Sequence, residues 1–192
     1  MRVSLFIGDI AGTVADAVCT STNPRLSLMM GTGASIRGKG GYEILRECEA
    51  IVAAAGGELP VGSVHVTTAG ALPHKVVIHC VASGSDHRSS EEIIRLCATA
   101  ALAAAAAKGC TSVAMPLFGA GHARIPFVRS LAAILAALKS APASVQDVTV
   151  VVQDRDREDE ARRMVEKEYG AVVVTRSEAE PESAGGWFDT NE

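Results

Sequence analysis

The stretch Asn23-Pro24-Arg25-Leu26-Ser27-Leu28-Met29-Met30-Gly31-Thr32-Gly33-Ala34-Ser35-Ile36-Arg37-Gly38-Lys39-Gly40-Gly41 stands between a short apolar run and a strong helical pattern. A glycine-containing turn from strand to helix leaves backbone N–H groups directed at open space, a ready-made seat for phosphate. A second turn of this kind, Gly119-Ala120-Gly121, follows a later apolar run. Two such turns at strand ends suit a pyrophosphate held between them. Either one alone reads as turn geometry, which is what most loop glycines serve.

Outward from that stretch, strand-like and helix-like patterns alternate. Val3 to Ile7 is a β-branched run closing at Gly8-Asp9-Ile10, and Val14 to Thr20 is a second, closing at Thr20-Ser21-Thr22-Asn23. Asp9 and Asn23 read locally as turn residues. From Ser35 the period becomes helical: Leu45, Cys48, Val52 and Ala55 share a stripe widened by Ile44 and Ile51, and Gly56-Gly57 ends it. Strands are expected over residues 63–68, with Val64 and Val66 alternating against His65 and Thr67, and over 75–82, a continuous apolar run suited to a sheet covered on both faces. A helix starts at Ser89 or Ser90, with Glu91 and Glu92 in its first turn, and runs through an alanine-rich segment to Lys108-Gly109. Strand 112–117, the second glycine turn, a helical stripe from Phe127 to Leu138, strand 148–152, a charged helix 157–169 and strand 171–175 complete the pattern.

Alternation of this kind predicts an α/β protein with a largely parallel sheet between helix layers. Ligands in such sheets lie beyond the carboxyl ends of the strands. Both glycine turns, Thr68-Ala69-Gly70 and Asp154 fall at such ends. The chain has no Gly-x-Gly-x-x-Gly with an acidic partner and no Gly-Lys-Ser/Thr phosphate loop.

The 192 residues favour one domain, with 48% apolar and 21% charged residues. The net charge of −4 gives no electrostatic footprint for nucleic acid or anionic membrane. Cys19, Cys48, Cys80, Cys97 and Cys110 form no Cys-x-x-Cys pair and sit in apolar surroundings, so buried free thiols are expected and a zinc site is not. No signal-peptide pattern opens the chain, and the alanine-rich run is too short to span a bilayer, which predicts a cytoplasmic, soluble protein. A domain over residues 1–176 and an acidic, disordered tail over 177–192, packed at most through Trp187 or Phe188, are expected.

The ordered set of motifs resembles the macro domain family. Gly8-Asp9-Ile10, Asp16-Ala17-Val18, Asn23 with its loop, Gly40-Gly41, Thr68-Ala69-Gly70 with Leu72-Pro73, Val77-Ile78-His79, Ala114-Met115-Pro116 and Gly119-Ala120-Gly121 match in order and spacing across residues 2 to 175. The resemblance implies a three-layer α/β/α fold with a central mixed, largely parallel sheet and a cleft for ADP-ribose. It implies that Asp9 accepts the adenine amino group, Ile10 packs beside that base and Asn23 contacts the distal ribose. Gly31, Thr32, Gly33 and Ala34 would form the first diphosphate loop. Gly119, Ala120, Gly121, His122 and Ala123 would form the second. Arg124, read from its chemistry alone, either meets a phosphate or a distal carboxylate or is a solvated charge. Asp154 would flank the adenine end. The implied partner is ADP-ribose or an ADP-ribosylated macromolecule, bound by a monomer without metal or cofactor.

The departures from the family pattern concern catalysis. Met29 and Met30 replace glycines of the first loop, which predicts a bulkier wall that closes over the ligand with apolar contact. Thr20 stands for the first asparagine of an Asn-Ala-Ala-Asn run, Ala123 for an aromatic residue, and Gln153 for a base-stacking aromatic. The hydrolase branch carries an aspartate near Gly33; here Gly33 and Ala34 are found, and Lys39 lies too far on to match the lysine of another branch. Binding of ADP-ribose is therefore the first expectation. Hydrolysis of ADP-ribosyl groups or of O-acetyl-ADP-ribose is the alternative, with Asn23 and His122 as polar candidates for positioning water.

Overall fold

A computed structural model describes residues 1–177; the tail beyond, with Trp187 and Phe188, lies outside the described residues. The strands are β1 (Arg2–Ile7), β2 (Ala17–Thr22), β3 (Val64–Thr68), β4 (Val76–Val81), β5 (Ser112–Pro116), β6 (Asp147–Val152) and β7 (Val174–Arg176). The helices are α1 (Gly31–Gly40), α2 (Tyr42–Ala54), α3 (Glu91–Ala107), α4 (Phe127–Leu138) and α5 (Glu158–Tyr169), with short 3-10 turns at Ile10–Gly12 and Arg155–Arg157.

The strands form one seven-stranded sheet in the order β3-β4-β2-β5-β6-β1-β7. Every neighbouring pair is parallel except β3 with β4, so the sheet is mixed and largely parallel. Parallel strands need crossovers, and the helices supply them on both faces. Alternation along each strand divides the core in two. Cys19, Cys80, Met115 and Val150 pack with Ile94, Cys97, Leu131, Ile134 and Val165 of α3, α4 and α5. Val18, Val77, Ala114 and Val151 pack with Ile36, Ile44 and Cys48 of α1 and α2. This is the expected three-layer α/β/α arrangement. All five cysteines are buried and free. Among the described residues no helix is long and apolar enough to cross a membrane.

Four local readings change. Val14 is almost fully exposed, and β2 begins only at Ala17, after Asp16 has paired with Lys75 and with the Thr111 amide. The helical period does not begin at Ser35: α1 already includes Gly31–Ala34, and Gly41 at φ 93° separates it from α2. On α2 the buried positions are Ile44 and Cys48, whereas Ala55, its C-cap, is exposed. The last strand is Val174–Arg176, shifted along the chain by its register with Leu5–Ile7 of β1.

Behind α2, His79 of β4 is fully buried; its Nε2 is 2.9 Å from the Thr67 hydroxyl, and the Cys48 thiol lies within 3.8 Å. Burial pushes this imidazole down to about 4, with His65 adding to the shift. An unfolded histidine titrates near 6.5, so the unfolded chain binds the extra proton first as pH falls. The neutral His79 therefore costs nothing above about pH 6.5 and removes roughly 3 kcal/mol of stability by about pH 4. Urea unfolding of His79→Gln should give a stability slope between pH 6.5 and 4.5 shallower than wild type by about one proton. Parallel slopes would contradict this assignment.

Candidate functional site

A cleft of about 530 Å³ opens over the carboxyl ends of β1, β2, β5 and β6. That volume is in the range of small-molecule sites. One wall is made by Asp9, Ile10, Met29, Met30, Thr32 and Ser35, and the facing wall by the 119–123 turn, Phe127 and Arg157. Asn23 and Ser83 follow β2 and β4, and Gln153 and Asp154 follow β6; all four line the cleft.

The first wall is a helix end rather than a loop. Met30 is the N-cap of α1 and gives no side-chain cap, and the first turn carries no acidic residue. The first N–H groups of a helix have no partner within it, and the helix dipole adds partial positive charge there. Gly31 and Thr32 present this end to the cleft. Thr32 is tied to β2 by a hydroxyl contact with Thr20 at 3.1 Å, so the residue standing for the family's asparagine anchors α1. Gly33 points away: it is buried, and a Cβ there would lie 3.1 Å from the Leu28 backbone. Neither Gly33 nor Ala34 is among the cleft-lining residues. Met29 and Met30 do line it and remain 60% and 58% exposed, forming an apolar lip.

In the second wall, Gly119 takes φ 72°. Ala120 donates to Leu117, Arg124 to Gly121 and Ile125 to Gly119, which closes the turn. The N–H groups of Gly121, His122 and Ala123 lie between those bonds. Arg124 has φ 54° and lies outside the cleft lining. A left-handed backbone at a non-glycine residue is strained.

Asp9 is held from three sides. Its Oδ1 accepts the Ala11 amide at 3.1 Å and the Ser35 hydroxyl, while Lys39 Nζ donates to Oδ2 at 2.7 Å. Burial pushes the carboxyl up, but the bonds from Lys39, Ser35 and Ala11 outweigh it and hold Asp9 below the usual carboxylate range. Lys39 is thus an ion-pair partner of Asp9 on α1. Asn23 spends its side-chain carbonyl on the amides of Arg25 at 3.1 Å and Ser27 at 3.3 Å, the turn role its sequence context suggests, and keeps its NH₂ donors. Asp154 caps the 3-10 turn after β6 through the Asp156 amide.

Three side chains of the cleft escape sequence reasoning. His87 comes from the loop after β4, with φ 60°, and its ring lies 6.0 Å from that of His122. Arg157 places its guanidinium carbon 5.5 Å over the Phe127 ring. Phe127 sits in an apolar stripe and Arg157 in a charged run, so each has an ordinary local explanation; only the fold brings them together. Among the described residues no group of three or more His, Cys, Asp or Glu is arranged to hold a metal.

The family model "Macro domain" matches residues 19–134. This chain belongs to the macro domain family. A macro domain-containing protein of Streptomyces nogalater is 33% identical over 156 residues, covering 79% of this chain and 85% of that protein. An O-acetyl-ADP-ribose deacetylase of Citrobacter rodentium is 33% identical over 123 residues, covering 62% of this chain and 68% of that protein. Among solved structures, a mutant Oceanobacillus iheyensis macrodomain with ADPR has a TM-score of 0.75 at 23% identity, covering 85% of this chain and 91% of the other. The Trypanosoma brucei macrodomain in complex with ADP-ribose also has a TM-score of 0.75, at 20% identity, covering 85% and 69%. These likenesses establish the macro domain fold of this chain.

Proposed function

We propose that the cleft binds ADP-ribose or an ADP-ribosyl group carried on a macromolecule. The observation that supports this reading most is the convergence of two amide-rich elements, the α1 N-terminus and the 119–123 turn, on one cleft that has Asp9 at its side. The two sets of N–H groups suit a diphosphate. Asp9, kept ionised, suits the exocyclic N–H of adenine, with Ile10 beside the base. Asn23 retains amide donors for the distal ribose. Relatives whose solved structures contain ADPR or ADP-ribose support the choice of ligand. The net charge of −4 argues against RNA, whose backbone needs a basic patch.

Thermal unfolding with and without ADP-ribose tests this. Ligand at about 100 times its Kd adds about 2.7 kcal/mol of stability and raises Tm by several degrees. An unchanged Tm at millimolar ADP-ribose would remove the proposal.

Hydrolysis is the second reading, and the paired rings of His87 and His122 in the cleft favour it. An imidazole of this pair is placed to take a proton from a water that attacks the anomeric carbon, releasing the group bonded there, or the acyl carbon, releasing a carboxylic acid. The kinship with an O-acetyl-ADP-ribose deacetylase supports it as well. Near the position where the aspartate branch carries its aspartate, this chain has Gly33, packed against Leu28. Incubation with a mono-ADP-ribosylated protein separates the readings. A pure binder releases no free ADP-ribose; release that disappears in Asn23→Ala or His122→Ala establishes the hydrolase.

A further inference from the structure

We infer that Ser35 and Lys39 set the base selectivity of the cleft, by occupying acceptor positions of Asp9 so that a single one is left for the ligand. The inference rests on the reading that Asp9 meets the nucleobase. An ionised carboxylate offers about four lone-pair positions, two on each oxygen. Here Oδ1 accepts both the Ala11 amide and the Ser35 hydroxyl, and Oδ2 accepts Lys39 Nζ at 2.7 Å. One position remains, on Oδ2.

Adenine needs one. It presents an exocyclic amino group beside a ring nitrogen that is itself an acceptor. Guanine presents two adjacent donors, the ring N1–H and the 2-amino group, which pair with both oxygens of a carboxylate. With Oδ1 already filled, one guanine N–H would enter the cleft without an acceptor. A buried donor left unpaired discriminates strongly against the ligand that carries it.

The placement of the two donors fits this role. Ser35 and Lys39 are one turn apart on α1, so both face Asp9. Ser35 lines the cleft, whereas Lys39 is not among the lining residues and holds Oδ2 from outside. Its side chain is 56% exposed, and exposed pairs of this kind contribute little to folding. The same helix presents its N-terminal amides to the cleft, so α1 registers the base against the diphosphate.

The test compares ADP-ribose with GDP-ribose by calorimetry on wild type, Lys39→Met, Lys39→Arg and the double variant Ser35→Ala/Lys39→Met. Wild type is expected to prefer ADP-ribose by about 30-fold or more. In the double variant that ratio should fall at least ~10-fold, chiefly through gained GDP-ribose affinity, because each oxygen of Asp9 then has an open acceptor position, Oδ1 keeping only the Ala11 amide. Lys39→Arg keeps a donor on Oδ2 and should keep most of the preference. Equal wild-type affinity for the two nucleotides would overturn the inference. So would an unchanged ratio in a folded double variant that still binds ADP-ribose. Wild type that binds neither nucleotide would instead overturn the reading of the cleft, and this inference with it.

Discussion

Asp9→Ala should weaken ADP-ribose binding by about 30-fold or more while lowering Tm by only the few degrees that loss of its cap on Ala11 costs. A hydrogen bond to a charged group is worth about 1.5–3 kcal/mol, and its removal here also leaves Lys39 as an uncompensated cation beside the base. The fold does not depend on the carboxylate in the same measure. The Lys39–Asp9 pair is half-exposed, and solvent screening reduces its contribution to a few tenths of a kcal/mol. Calorimetry and thermal unfolding on one preparation separate the two effects. Because Asp9 is held below the usual carboxylate range, its contribution is present at neutral pH and is lost only as pH falls through that lowered value. Wild-type affinity should therefore be level from pH 8 to pH 5 as far as Asp9 governs it. A drop in Tm as large as the drop in affinity would make Asp9 a structural residue.

Gly70→Ala should be the most damaging single-methyl change, costing about 4 kcal/mol or preventing folding. Gly70 follows β3 at φ 56°, a region that L-residues enter at a cost. A Cβ there would overlap the Gly40 carbonyl oxygen, which already accepts the Ala71 amide at 2.9 Å. Gly40 is itself closely packed, since a Cβ there would meet Ile44, Leu72 and the Ala69 carbonyl. The contact pins the C-terminal end of α1, the helix that carries Ser35 and Lys39. Gly38→Ala is the control on the same helix. Nothing lies within 4 Å of its added methyl, and alanine is the better helix former by about 1 kcal/mol. Gly38→Ala should raise Tm and Gly70→Ala should lower it sharply. Equal melting temperatures would mean that α1 and the Gly70 turn do not meet as described.

The same contact explains why α1 is hidden in the sequence. Gly31–Gly40 has one large apolar residue, Ile36, and so no stripe to reveal its period. Its position comes from tertiary packing: Gly33 against Leu28 and Gly40 against Ile44 and Ala69. The strands were legible because β4 and β6 are apolar on both faces, which a sheet between two helix layers requires. The parallel pattern then placed Asp9 and the two glycine turns at the carboxyl ends of β1, β2 and β5. Contacts between distant segments had no local signal. Lys39 and Asp9 are thirty residues apart. Arg157 meets Phe127 across the chain, and His87 reaches His122 only through a strained loop. Arg124 shows the same limit: its sequence context leaves a phosphate or carboxylate contact and a solvated charge equally open, and it lies outside the cleft lining with φ 54°.

The most direct measurement is calorimetric titration of the wild-type chain with ADP-ribose. A ligand held by two sets of backbone amides and a charge-assisted bond to Asp9 should bind at one site with a Kd in the micromolar range, roughly −7 to −8 kcal/mol. No heat at millimolar ADP-ribose, with the chain folded, would contradict the account.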